Sequence, residues 1–208
     1  MSRRVILVHG LWMPRASMRW HAHGLRKAGY QATLFGYATV GGGPEQAIPA
    51  LRALLREPCD IVAHSLGGVL ALRALQSEPG LPVGRVVCLG SPLCGSAAAS
   101  TLARLPFGAR TLGRSASLLR DGCDPWQGEA RVGMIAGDSA LGLGQVFGRF
   151  KGPCDGTVSV DETRIEGLAD HIVLPTSHSG MLVSKRVSRQ VLEFLAHGRF
   201  LHSDAGAK

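Results

Sequence analysis

Short apolar, β-branched runs alternate along the chain with longer segments in which apolar residues recur at helical spacing. Arg4 to His9 reads as a buried strand, Met18 to Ala28 as a helix, Gln31 to Phe35 as a strand, and Pro44 to Arg56 as a helix with Pro44 and Glu45 in its first turn. The strand Asp60 to His64 leads into a helix from Leu66 to Glu78, which Pro79-Gly80 ends. Further strands are expected at Arg85 to Leu89, Val132 to Ala136 and His171 to Leu174. A closing helix, about Met181 to His197, carries Val187, Val191, Phe194 and Leu195 on one stripe. This alternation predicts an α/β fold in three layers, a mainly parallel sheet of about six strands with helices on both faces.

Two segments break the alternation. Pro92 to Gly128 is rich in Ala, Ser and Arg, with leucines and Phe107 spaced through it, and reads as a small helical insert: either a pair of short helices on the body or a partial lid. The connection after the strand Arg85 to Leu89 leaves the carboxyl edge of the sheet, where ligands of open parallel sheets bind. The leucines of 92–128 and Phe107, with Leu105 among them, are therefore expected to wall a pocket, and Arg104, Arg110, Arg114 and Arg120 to face solvent or an anionic surface. Gly137 to Leu168 is Gly-rich and irregular, and the tail after Phe200 looks frayed. Neither segment is long enough for a core of its own, so a single domain over 1–208 is expected.

Composition narrows the class. With 45% hydrophobic residues in 208, the chain can bury enough apolar surface to offset its ordering entropy. No apolar stretch approaches the ~20 residues of a spanning helix. The first apolar run, after Arg3-Arg4, is too short for a secretion signal. Five cysteines without a C-x-x-C pair fit neither a zinc site nor a disulfide framework, which favours a reducing, cytoplasmic setting. The net charge of +8 comes from 19 arginines and 4 lysines that are scattered rather than striped, and aromatics are only 5%, so nucleic acid is not an expected partner.

The strongest local signal is Ile61-Val-Ala-His-Ser65-Leu-Gly-Gly68, a strand running into a serine and then a helix. A serine on such a sharp turn needs small residues two before and two after it, and Ala63 and Gly67 stand there. Val5-Ile-Leu-Val-His-Gly10-Leu-Trp12 supplies the second element of an acyl-transfer site, a loop after an earlier strand. The backbone N–H groups of Leu11 and Leu66 then become candidates for an oxyanion hole. His9 is expected to brace its loop, and His64 need not face the site.

Serine needs a base. His178, in the loop between the last strand and the last helix, falls at the same sheet edge as Ser65. His171 begins its strand, His197 and His202 are near the end, and His21 and His23 lie on a helix expected at the surface. For the acid that orients the base, Asp138 directly follows a strand and Asp155 opens an Asp-Gly-Thr-Val turn, and both preserve the order Ser, Asp, His.

With Val-His-Gly-Leu-Trp, Ala-His-Ser-Leu-Gly-Gly, Gly90-Ser-Pro-Leu-Cys-Gly-Ser96, Asp155-Gly-Thr-Val and Ser177-His-Ser-Gly-Met181, the chain resembles the α/β-hydrolase superfamily, and within it the small bacterial lipases and esterases. The resemblance runs nearly the whole length. It implies a minimal form of that fold lacking the first two strands, Asp155 as the acid, and a serine hydrolase that cleaves carboxylic esters of small molecules, lipid or acyl-chain esters included, without cofactor or metal. The same triad would serve an acyltransferase or thioesterase, and a non-catalytic interaction protein on this fold is the remaining alternative.

Overall fold

A computed structural model of the protein describes residues 3–140 and 152–202. Part of the irregular segment, 141–151, and the tail beyond 202 lie outside the described residues. Within them, β1 (Arg4–Val8), β2 (Gln31–Phe35), β3 (Cys59–His64), β4 (Val83–Leu89), β5 (Arg131–Gly137) and β6 (Asp170–Leu174) form one parallel sheet in the order β2-β1-β3-β4-β5-β6. The order reverses between β1 and β3, which opens a crevice beyond their carboxyl ends.

Both faces of the sheet are covered, which explains why the inner strands β1, β3, β4 and β5 read as near-continuous apolar runs rather than alternating ones. Ile6, Val8, Ile61, Ala63, Val86, Cys88, Val132 and Met134 point to the side of α2 (Gly43–Leu54) and α3 (Leu66–Ser77). Val5, Leu7, Val62, Val87, Leu89 and Ile135 point to the side of α1 (Arg19–Lys27) and a final helix over Lys185–His197. Each face thus takes alternate residues of the same strands.

The insert holds three short helices rather than a pair: α4 (Ala97–Ala103), α5 (Gly108–Leu112) and α6 (Ala116–Asp121). Gly113, at φ 57°, separates the last two in a backbone state that suits glycine. The final helix, α7 (Lys185–His197), begins later than expected. Ser184 is extended and accepts a hydrogen bond from the Val187 N–H at 3.3 Å, which fixes the start of the helix, while Met181 belongs to a separate 3-10 turn, Gly180–Leu182. Met181 is buried there, so its apolar character mimicked a helical position.

Candidate active site

Ser65 stands between the end of β3 and the start of α3 with φ 54° and ψ −124°. A non-glycine residue in such a state costs about 1–3 kcal/mol and persists only where its surroundings enforce it. Here the Ser65 N–H donates to the Leu89 carbonyl at 2.9 Å, and the Ser65 carbonyl accepts from the Gly68 N–H at 3.0 Å. A Cβ on Gly67 would lie 2.7 Å from the carbonyl oxygens of both Val8 and His9, so the helix start presses directly on the end of β1. Leu66 occupies the first position of α3, where the N–H has no partner inside the helix and the helix dipole is positive.

The loop after β1 runs alongside. A Cβ on Gly10 would be 3.0 Å from Ser65 Cβ. His9 braces this loop: its Nδ1 lies 3.0 Å from the Gly10 carbonyl, its Nε2 accepts from the Tyr37 N–H at 3.4 Å, and the two rings stack at 4.5 Å. The Tyr37 hydroxyl donates to the His9 carbonyl at 2.9 Å. Burial lowers the His9 pKa, and the bond to Gly10 offsets that only in part. A neutral ring donating from Nδ1 and accepting at Nε2 satisfies both contacts.

His178 meets Asp155, not Asp138. Its Nδ1 is 2.7 Å from Asp155 Oδ2, and both residues are buried. The other carboxylate oxygen, Oδ1, accepts from the Thr157 and Val158 N–H groups at 2.9 and 2.7 Å, so the Asp-Gly turn clamps the carboxylate. The His178 N–H also donates to the Asp155 carbonyl at 2.8 Å. Asp138 is exposed. A carboxylate only accepts, so the His178 proton sits on Nδ1 and leaves Nε2 basic. Ser65 and His178 line one cavity with no hydrogen bond between them, a contact that is often long in ligand-free sites.

His64 is fully buried and does face this assembly. Its Nε2–H donates to the His178 carbonyl at 3.1 Å, and the two rings lie 4.7 Å apart. Burial, then the neighbouring His178, holds its pKa well below the usual histidine value. His21 is a correction: it is buried, not on the surface, with Nε2 2.9 Å from the Met181 carbonyl and Nδ1 3.2 Å from Ser188 Oγ, and burial lowers its pKa. It ties α1 to the segment that follows His178. His171 bonds Thr163 Oγ1 at 2.8 Å away from the cavity, and burial pushes its pKa down to about 4.

The cavity has a volume of about 420 Å³. Gly10, Leu11, His64, Ser65, Val158 and His178 line it, together with Pro92, Ser96, Ala99, Leu102, Leu112 and Leu119 of the insert. The insert therefore does wall it, through Leu102, Leu112 and Leu119. Leu105 and Phe107 do not: they are 44% and 74% exposed on the outer surface. Arg104, Arg110, Arg114 and Arg120 are exposed as expected.

The supporting roles of two residues, Gly90 and Glu162, escaped the sequence reading, although Gly90 opens one of the motifs that carry the resemblance. A Cβ on Gly90 (φ 54°) would come within 2.9 Å of Asp155 Oδ2 and 3.2 Å of His178 Nδ1, so only glycine leaves that pair its room. Glu162 accepts from the Ala97 N–H at 2.6 Å and from the Ser159 N–H at 2.7 Å, joining the insert to the acid-bearing loop. A Gly-Ser-Pro run after a strand was a usable signal for the first, whereas the contact of Glu162 spans 65 positions and leaves none. Among the described residues no group of three or more His, Cys, Asp or Glu is arranged to hold a metal ion. None of their helices is long and apolar enough to cross a membrane.

The model of the alpha/beta hydrolase family matches residues 5–191. Among solved structures, the mature form of the lipase BlEst2 from Bacillus licheniformis is similar at a TM-score of 0.76 and 19% identity, over 94% of this chain and 91% of that one. The phospholipase PlaB from Legionella pneumophila, in complex with thio-NAD, is similar at 0.68 and 15%, over 94% of this chain and 56% of that one. An extracellular alpha/beta-hydrolase from a Paenibacillus species is similar at 0.58 and 15%, over 93% and 98%. At such identities these likenesses bear on the fold. None of the curated proteins compared matches the chain.

Proposed function

The chain belongs to the alpha/beta hydrolase family, and from that premise we propose that it is a serine hydrolase cleaving carboxylic esters through an acyl-enzyme on Ser65. The observation that carries this reading is the clamped Asp155–His178 pair at 2.7 Å on the same cavity as the strained Ser65. A serine that merely capped a helix would call for neither.

In the proposed reaction Ser65 Oγ attacks the ester carbonyl carbon while His178 Nε2 takes the hydroxyl proton. The carbonyl oxygen becomes an oxyanion, which the Leu11 and Leu66 N–H groups receive. The intermediate collapses, the bond to the alcohol oxygen breaks, and His178 returns its proton to the departing alcohol. Water then attacks the acyl-enzyme by the same sequence and releases the acid. Asp155 holds the imidazole tautomer and stabilises the imidazolium in both halves.

The substrate side is read from the wall. Leu102, Leu112 and Leu119 line the same cavity as the nucleophile, about 420 Å³ in volume, a size and lining that suit an apolar acyl chain. The solved structures of a lipase and a phospholipase with this fold accord with such a substrate. The test is turnover of p-nitrophenyl esters from acetyl to decanoyl, beside acyl-CoA thioesters of the same chains. Ester turnover that rises with chain length and disappears in Ser65→Ala supports the reading. Turnover confined to the thioesters would move the assignment to a thioesterase or acyltransferase, and turnover of neither would sink it.

A further inference from the structure

Beside the cavity lies a surface for which the proposed reaction has no use. From Ser96 to Arg120 the chain has four arginines and no Asp or Glu. The connection between α4 and α5, residues 104–107, is exposed throughout, and Leu105 and Phe107 project from it. Phe107 is held at φ 64°, a strained state for a bulky residue, by hydrogen bonds from the Arg110 and Thr111 N–H groups to its carbonyl at 3.0 and 3.3 Å. The turn is thus fixed with the ring outward. At the other end of α5, the Thr111 carbonyl accepts from the Trp12 indole N–H at 2.7 Å, which brings a third large apolar side chain, 58% exposed, to the same short helix. Arg120 pairs with Asp121 at 2.8 Å and Arg114 lies against Gly43 beside Glu45, whereas Arg104 and Arg110 pair with no described carboxylate.

We propose that this surface docks on an anionic lipid bilayer, with Leu105, Phe107 and Trp12 entering the headgroup boundary and Arg104 and Arg110 meeting the lipid phosphates. Exposed apolar tips with unpaired cations on the same short segment match the two attractions that such a surface offers, and a neutral or acidic partner would use only one of them. Trp12 follows Leu11 and lines the cavity, so the docked face is the one through which an acyl chain would arrive. That consequence rests on the ester-hydrolase reading. The docking itself uses none of Ser65, Asp155 or His178.

The experiment is co-sedimentation of the full chain carrying Ser65→Ala with vesicles of phosphatidylcholine and phosphatidylglycerol in equal parts, and with vesicles of phosphatidylcholine alone. Binding is expected to the mixed vesicles, weaker as salt rises, and to be slight on phosphatidylcholine. Arg104→Gln with Arg110→Gln should lower the partition on the order of 25-fold, about five-fold per charge, and Phe107→Ser on the order of ten-fold. The same substitutions in the chain that retains Ser65 should leave circular dichroism and hydrolysis of a water-soluble acetyl ester unchanged. Equal binding to both vesicle types, wild-type partition in these variants, or no binding at all would overturn the proposal. Because the vesicle assay runs without the serine hydroxyl, failure of Ser65 as a nucleophile would appear only in the ester assays.

Discussion

The ends of β1 and β3 and the three-helix insert line one cavity, yet they are built in opposite ways. At the strand ends, the backbone decides everything: Ala63, His64 and Leu66 have no exposure, and Gly67 has no room for a methyl group. In the insert, helices of 7, 5 and 6 residues are too short to stand alone and hold by leaning Ala99, Leu112, Leu118 and Leu119 on the core. The difference teaches which part can carry chemistry and which can set selectivity. A group that must sit within a fraction of an ångström of a reacting atom belongs on the rigid side. A wall that only needs to be apolar can be re-shaped by changing a leucine.

Substitutions should separate the two regions by the size and kind of their effects. Ser65→Ala should cost about 10⁶ in kcat for any ester the protein turns over, with an unchanged circular dichroism spectrum. Residual burst kinetics in that variant would remove the nucleophile from the rigid side. Asp155→Asn should cost on the order of 10⁴, because the base and the oxyanion donors stay in place, while Asp138→Asn should be close to silent in the same kinetic assay. Equal losses at both positions would mean that the clamped carboxylate is not the orienting group.

Gly67→Ala forces a methyl group to within 2.7 Å of two main-chain oxygens that cannot turn aside. Denaturant unfolding should report a loss of about 1–3 kcal/mol. A wild-type midpoint would show that the strand ends are softer than their packing indicates. On the insert side, Leu102→Ala and Leu112→Ala should shift the preferred acyl chain length several-fold in kcat/KM while leaving the acetyl ester little changed. Leu105→Ala should leave the preference where it is, because that side chain lies outside the cavity. A shift caused by Leu105 alone would reverse this division of the insert.

The smallest effect expected is on stability in mild acid. His64, His21 and His171 have folded pKa values below the ordinary 6.5, the last at about 4. Between the folded and ordinary values the unfolded chain binds protons that the folded chain refuses, so stability rises with pH across that window. It is complete above 6.5 and is lost as pH falls from 6.5 towards 4. Urea midpoints should therefore drop between about pH 7 and pH 5. A flat profile would mean that these rings accept protons without disturbing their buried contacts.

The same contrast governs how much could be read from the sequence. The four inner strands were legible because each is a short apolar run buried on both sides, the edge strands β2 and β6 because they are short and lie between helical segments, and Ser65 was legible because its strained turn admits so few residue types. The choice between Asp138 and Asp155 was not, since both follow β5 and only the resemblance favoured the second. It took the turn at Asp155-Gly156, which aims two N–H groups at Oδ1, to give the geometric reason. Leu105 and Phe107 misled because they stand in the short connection between α4 and α5, where no helical period says which side is buried. His21 misled differently: its partners, Met181 and Ser188, lie 160 and 167 positions away.

The most direct test of Ser65 as an activated nucleophile is labelling of the intact protein with a fluorophosphonate, followed by mass spectrometry of its peptides. The account predicts one adduct, carried by the peptide containing Ser65, formed slowly in Asp155→Asn and not at all in Ser65→Ala. An unlabelled protein, or an adduct on any other serine, would contradict it.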